Sequence, residues 1–64
     1  MRPPEQARWN PRPGDVVSNG KAERTVLSRG HDAVTYRCPM TDRLATCTLR
    51  AWIDWVKEVI HAEQ

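Results

Sequence analysis

The sequence has no phenylalanine, one tyrosine and only three glycines in 64 residues. Its longest unbroken apolar run is three residues, Ala51 to Ile53, far short of the roughly 20 that a membrane-spanning helix needs. No charged start leads into an apolar stretch and small residues, so no secretory signal is expected. The glycines stand at 14, 20 and 30, and none belongs to a phosphate-cradling loop. There is no Cys-x-x-Cys, no His-Glu-x-x-His and no pair of carboxylates suited to acid–base work. Ser28, His31 and Asp32 are close in sequence, but a tight turn points successive side chains apart and supplies no oxyanion hole. Catalysis, a metal centre and a cofactor are therefore not expected. A domain this small buries only about 60% of the surface its unfolded chain exposes, which also disfavours a deep cleft.

What is present divides into two parts. Residues 1–14 hold four of the five prolines, with Arg2, Arg8 and Arg12 against Glu5. Proline lacks a backbone donor and restricts the residue before it, so this basic arm is expected to be extended or disordered up to Gly14. Trp9, its one large apolar side chain, is expected to fold back and plug an edge of the core. The alternative is that the arm docks on a partner.

Residues 15–64 carry the expected domain. Val16-Val17 leads into Asn19-Gly20, the strongest short hairpin signal. Arg24 to Ser28 reads as a second strand and Asp32 to Cys38 as a third. With Gly30-His31 as a two-residue loop, Leu27 pairs with Val34, Thr25 with Tyr36 and Arg24 with Arg37. Leu27, Val34, Thr25 and Tyr36 then form the core face. Pro39 to Arg43 is a connection with turn chemistry at Thr41 and Asp42, and Leu44 to Thr48 is a short fourth strand.

From Leu49 the period changes to 3.6: Trp52, Ile53, Val56, Val59 and Ile60 lie within about 80° of Leu49 on a helical wheel. A helix is expected over about 49–61, with Thr48 as its N-cap. The fold class is thus mainly β with one C-terminal α-helix. Its most economical form is a small SH3-like partial barrel of three to five short antiparallel strands.

Cys38 and Cys47 fall opposite each other if the third turn centres on Asp42-Arg43. Two packed thiols are expected, since free cysteine behaves as a small hydrophobe. A disulfide, or a zinc site recruiting His31 and His61, are the competing readings.

The ten basic residues exceed the acidic ones by two, and the excess is uneven. Residues 1–50 carry +4 and residues 51–64 carry −2. In the expected register Arg24 and Arg37 oppose each other on an exposed face, which is unfavourable without an anion nearby. Lys21, Arg43 and Arg12 extend the basic surface around the strand ends. Phosphate contact by these five residues competes with simple solvation of the sheet.

The aromatic set is the second signal. Trp52 falls in the apolar stripe and belongs to the core. Trp55 lies about 120° from Leu49, on the rim near Val59. It either packs under the arm or, with Trp9 and Val59, anchors a protein partner.

The order Pro13-Gly14-Asp15-Val16-Val17, Asn19-Gly20, Arg24-Thr25-Val26, Val34-Thr35-Tyr36-Arg37, Cys47, Leu49, Trp52, Trp55-Val56 resembles short phage- or prophage-encoded proteins of unassigned function. That resemblance implies an accessory protein, cytoplasmic in a bacterial host. It would act by binding nucleic acid, or by inhibiting a host protein or a defence complex such as CRISPR machinery. A homodimer that supplies missing core is a third expectation.

Overall fold

The computed structural model describes residues 2–64. In chain order the elements are α1 (Gln6–Trp9), β1 (Val16–Ser18), β2 (Glu23–Arg29), β3 (Ala33–Cys38), β4 (Arg43–Thr48), α2 (Leu49–Trp55) and β5 (Glu58–His61). The strands form one open antiparallel sheet in the order β4-β3-β2-β1-β5. The core lies between one face of this sheet and the helices, where Ala7 and Trp52 meet Val17, Val26, Val34, Tyr36 and Val56. Trp52 is fully buried, with its ring 5.7 Å from that of Tyr36, as its place in the apolar stripe requires. No described helix is long and apolar enough to cross a membrane.

The Asn19-Gly20 signal produces a β1–β2 hairpin, but through different chemistry from a two-residue turn. Ser18 faces Glu23, so the connection is longer. The Asn19 side-chain oxygen accepts from the Lys21 and Ala22 N–H groups, both at 2.9 Å. Within this turn only Gly20 takes a positive φ, +91°, which glycine adopts without steric cost.

The expected β2–β3 register is corrected by two local features. Gly30 N–H donates to the Ala33 carbonyl, and Arg29 faces Val34, so the turn is longer than Gly30-His31. A bulge at Leu27 then shifts the remaining pairs to Val26 opposite Tyr36 and Thr25 opposite Arg37. Val26 takes the core position and Leu27 is left 40% exposed. A one-residue slip exchanges the two faces of a strand.

The β3–β4 ladder is regular. It pairs Cys38 with Arg43 and Val34 with Cys47, so the two cysteines are offset along the sheet rather than opposed. Both are free thiols packed against the core.

Thr48 caps α2 as expected, accepting from Ala51 N–H at 3.1 Å. The helix stops at Trp55, however, and the expected continuation to residue 61 is not formed. Val56 turns extended, Lys57 N–H donates to the Ser18 carbonyl at 2.9 Å, and β5 pairs with β1. The apolar members of residues 56–60 keep the helical spacing, but all are β-branched and suit a strand equally well. The unpaired backbone of β1 decides between them.

Residues 2–14 also depart from expectation. The six residues between Pro4 and Pro11 are free of proline and make one helical turn. Ala7 and Pro11 are buried, and Trp52 Nε1 donates to the Ala7 carbonyl at 3.1 Å. Arg8 Nε donates to the Ile53 carbonyl at 2.9 Å, tying α1 to α2. The arm is therefore part of the packing. It is Ala7 that enters the core, while Trp9 remains 52% exposed beneath the Arg8 guanidinium.

Candidate nucleic-acid interface

Arg24 shares its sheet face with Val26, two positions along β2, and so points toward the helix-bearing side. Its guanidinium lies 4.2 Å from the Tyr36 ring centre and 3.8 Å from that of Trp55. No ion pair among the described residues involves it. A planar cation held between two rings keeps its orientation and leaves its N–H edge free of any carboxylate. Such an edge suits a phosphate, which guanidinium geometry matches with two parallel hydrogen bonds.

The strand order brings other cations to the same end of the sheet. Arg43 stands opposite Cys38 and is exposed, on the same face as Arg24. Lys21 projects from the β1–β2 turn, and Lys57 follows the Ser18 contact that begins β5. Neither Arg43, Lys21 nor Lys57 forms an ion pair among the described residues. Lys57 was not singled out in the sequence, because in a helix it falls on the polar flank; only the switch to β5 puts it beside the turn.

The expected opposition of Arg24 and Arg37 does not occur. Arg37 faces Thr25 and Leu44, on the other side of the sheet, and binds Asp42 Oδ1 at 2.9 Å. Arg12 precedes β1 and lies at the far end of the molecule. Beside it a shallow hollow of about 550 Å³ is lined by Arg2, Gln6 and Gln64. Near Lys21, a groove of about 440 Å³ runs between the two turns to Met40. Glu23 and Glu58 line it on either side of Ser18, which makes the groove itself a poor phosphate site.

The expected protein-contact residues are dispersed as well. Val59 faces Val17 and packs against the core, so it is not a free contact. Trp55 is half-buried under Arg24. Of the three, Trp9 alone keeps a large exposed surface.

A second arginine, Arg2, read in the sequence only as one charge of the basic arm, is paired with a residue 13 positions away. Its guanidinium grips Asp15 through Nη1–Oδ1 at 2.7 Å and Nη2–Oδ2 at 2.8 Å, with both side chains buried. Asp15 also accepts from the backbone N–H groups of Arg12 and Glu63, at 2.8 and 2.7 Å. Arg2 donates further to the Asn10 and Glu63 carbonyls. Burial is the largest single influence on the Asp15 carboxyl and pushes it up. The bonds from Arg2, Arg12 and Glu63, with the Arg2 charge, outweigh burial and hold it below the usual carboxylate range. The hydrogen bond to Asp15 raises Arg2 further. Burial raises the Cys47 thiol, opposed in part by the Arg24 charge, so it stays protonated at neutral pH. Among the described residues no group of three or more His, Cys, Asp and Glu is placed to hold a metal.

Comparison with known protein families, curated proteins and solved structures returned no match.

Proposed function

We propose that this chain is a non-enzymatic binding module of SH3-like layout that contacts the phosphates of nucleic acid. The observation that carries the reading is the Arg24 guanidinium, held between Tyr36 and Trp55 without a carboxylate partner. Arg43, Lys21 and Lys57 stand at the same end of the sheet. The SH3-like layout is supported by the four-strand meander, the short helix after β4 and the return of β5 to the side of β1. The phage-type accessory role and the bacterial cytoplasm as its setting are part of the proposal, and rest on the sequence resemblance alone.

Titration of the intrinsic tryptophan fluorescence with single- and double-stranded DNA and RNA tests the reading. With double-stranded DNA, four phosphate contacts predict a salt slope of about −3.6, so a fourfold rise in salt weakens binding about 150-fold. Arg24→Gln and Arg43→Gln each flatten that slope by about one contact. Absence of binding, or binding indifferent to salt, overturns it.

A second reading, inhibition of a host protein or defence complex, is favoured by Trp9. An exposed tryptophan with an arginine stacked on it is the kind of anchor that dominates protein interfaces. Under this reading Trp9→Ala abolishes capture of the host protein, and Arg24→Gln leaves it intact.

A further inference from the structure

The sheet is open, so each of its edge strands presents backbone N–H and C=O groups along one side. The edges are protected unequally. At one edge, β5 is four residues long, its ladder with β1 is bulged, and Lys57 and Glu58 stand at its start. The residues after it are tied down, with Glu63 N–H on Asp15 and the Gln64 side chain on Arg2 N–H. At the other edge, β4 is six residues long and pairs with β3 in unbroken register. Between Leu44 and Thr48 it carries no charge and no proline. Every β4 residue except Cys47 is exposed, Leu44 by 65%. An edge in unbroken register, with its only charge on Arg43 where the strand begins, is a template for another strand.

We infer that β4 pairs antiparallel with β4 of a second copy of this chain, joining two five-stranded sheets into one. Self-pairing uses up the unguarded edge of each copy and leaves the guarded β5 edges outermost, so assembly closes at two chains and does not grow into a filament. A two-fold axis requires one residue to face itself. Ala45 is that residue, because pairing about it spans 43–47, whereas pairing about Thr46 would draw in Thr48, which caps α2 and directly precedes Leu49. Leu44 then faces Thr46 of the second copy, and Arg43 faces Cys47. No two like charges are opposed within the seam, which removes the usual penalty against self-pairing. The inference does not depend on nucleic-acid binding.

Five residue pairs make a small contact, so the dimer is weak and reversible, forming at about 0.1 mM or above. Sedimentation equilibrium of the full chain, in reducing buffer without nucleic acid and up to about 1 mM, reads it directly. The expected result is a rise from the monomer mass of 7.4 kDa toward twice that value.

Two variants test the register. Leu44→Lys with Thr46→Lys sets lysines opposite lysines at both equivalent positions and weakens association about tenfold or more. Leu44→Lys with Thr46→Glu sets opposite charges there and restores it to within about threefold of the parent. Both positions are exposed, and circular dichroism establishes that each variant keeps its fold. A wild-type chain that stays monomeric at the highest concentration overturns the inference, leaving the edge to a strand of a different protein. So does a double-lysine variant that associates like the parent, or a lysine–glutamate variant that associates no better than the double lysine.

Discussion

Two arginines at opposite ends of one small sheet are held in opposite ways. Arg2 is buried, bound through both terminal nitrogens to Asp15, and engaged further with two backbone carbonyls. Arg24 is held by aromatic rings and engages no carboxylate among the described residues. The first arrangement leaves almost no donor for a ligand; it closes the molecule by joining residues 2, 10, 15 and 63. The second fixes a cation in place with its hydrogen-bonding edge free. Arginine content therefore says little about where a partner binds. What matters is whether the guanidinium is already satisfied.

The largest effect that separates the two ends is on stability. Arg2→Ala leaves a buried carboxylate without its cation and costs about 3–5 kcal/mol, enough to unfold a domain of this size. Urea denaturation measures it. Asp15→Asn is milder only in so far as the amide keeps some of the four hydrogen bonds. The same site sets the acid sensitivity. Because the folded Asp15 carboxyl lies below its unfolded value, its contribution is complete above the unfolded value, near pH 4. It is lost as pH falls through the folded value. Stability should therefore decline on acidification below about pH 4 in the parent, and this component should vanish in Asp15→Asn.

At the other end a smaller stability change accompanies a larger functional one. Arg24→Ala removes the stacked cation and its packed stem, costing about 1 kcal/mol, and shifts the Trp55 emission. Nucleic-acid affinity falls with it. Arg24→Lys keeps the charge but not the planar edge, so it should recover the salt slope without recovering the full affinity. Recovery of both would reduce Arg24 to a point charge.

Asp42→Asn is the smallest perturbation. It frees Arg37 from an exposed ion pair and changes stability by less than about 0.5 kcal/mol. If it strengthens nucleic-acid binding as much as Arg24→Gln weakens it, the open face of the sheet takes part and the contrast between the two arginines is blurred.

Much of the fold was legible because it is local chemistry. Asn19-Gly20 marks the first hairpin, Thr48 the start of α2, Thr41-Asp42 the third turn, and Trp52 the core. The departures occur where a local pattern allows two outcomes or where a distant contact decides. Val56, Val59 and Ile60 continue a helical stripe and are equally at home in a strand, so the end of α2 depended on Ser18 lying beside Lys57. The β2–β3 register depended on a bulge at Leu27, which no turn residue announces. The candidate site was half legible: Arg24, Arg43 and Lys21 are at one end, whereas Arg37 is on the opposite face and Arg12 at the far end. A single-residue slip is enough to separate Arg24 from Arg37, because side chains alternate along a strand.

The sequence by itself determined a small, slightly basic, mainly β chain with short strands, a capped helix and a tryptophan core. Those features follow from propensities, turn residues and apolar spacing, which act over a few neighbouring positions. Only the tertiary structure decided that the proline-rich residues fold into the body and that the last segment is a strand. It also decided that Arg2 is locked onto Asp15 while Arg24 rests between two rings. Each of these depends on groups far apart in the chain satisfying one another's burial and hydrogen-bonding requirements, and local sequence carries no record of those meetings.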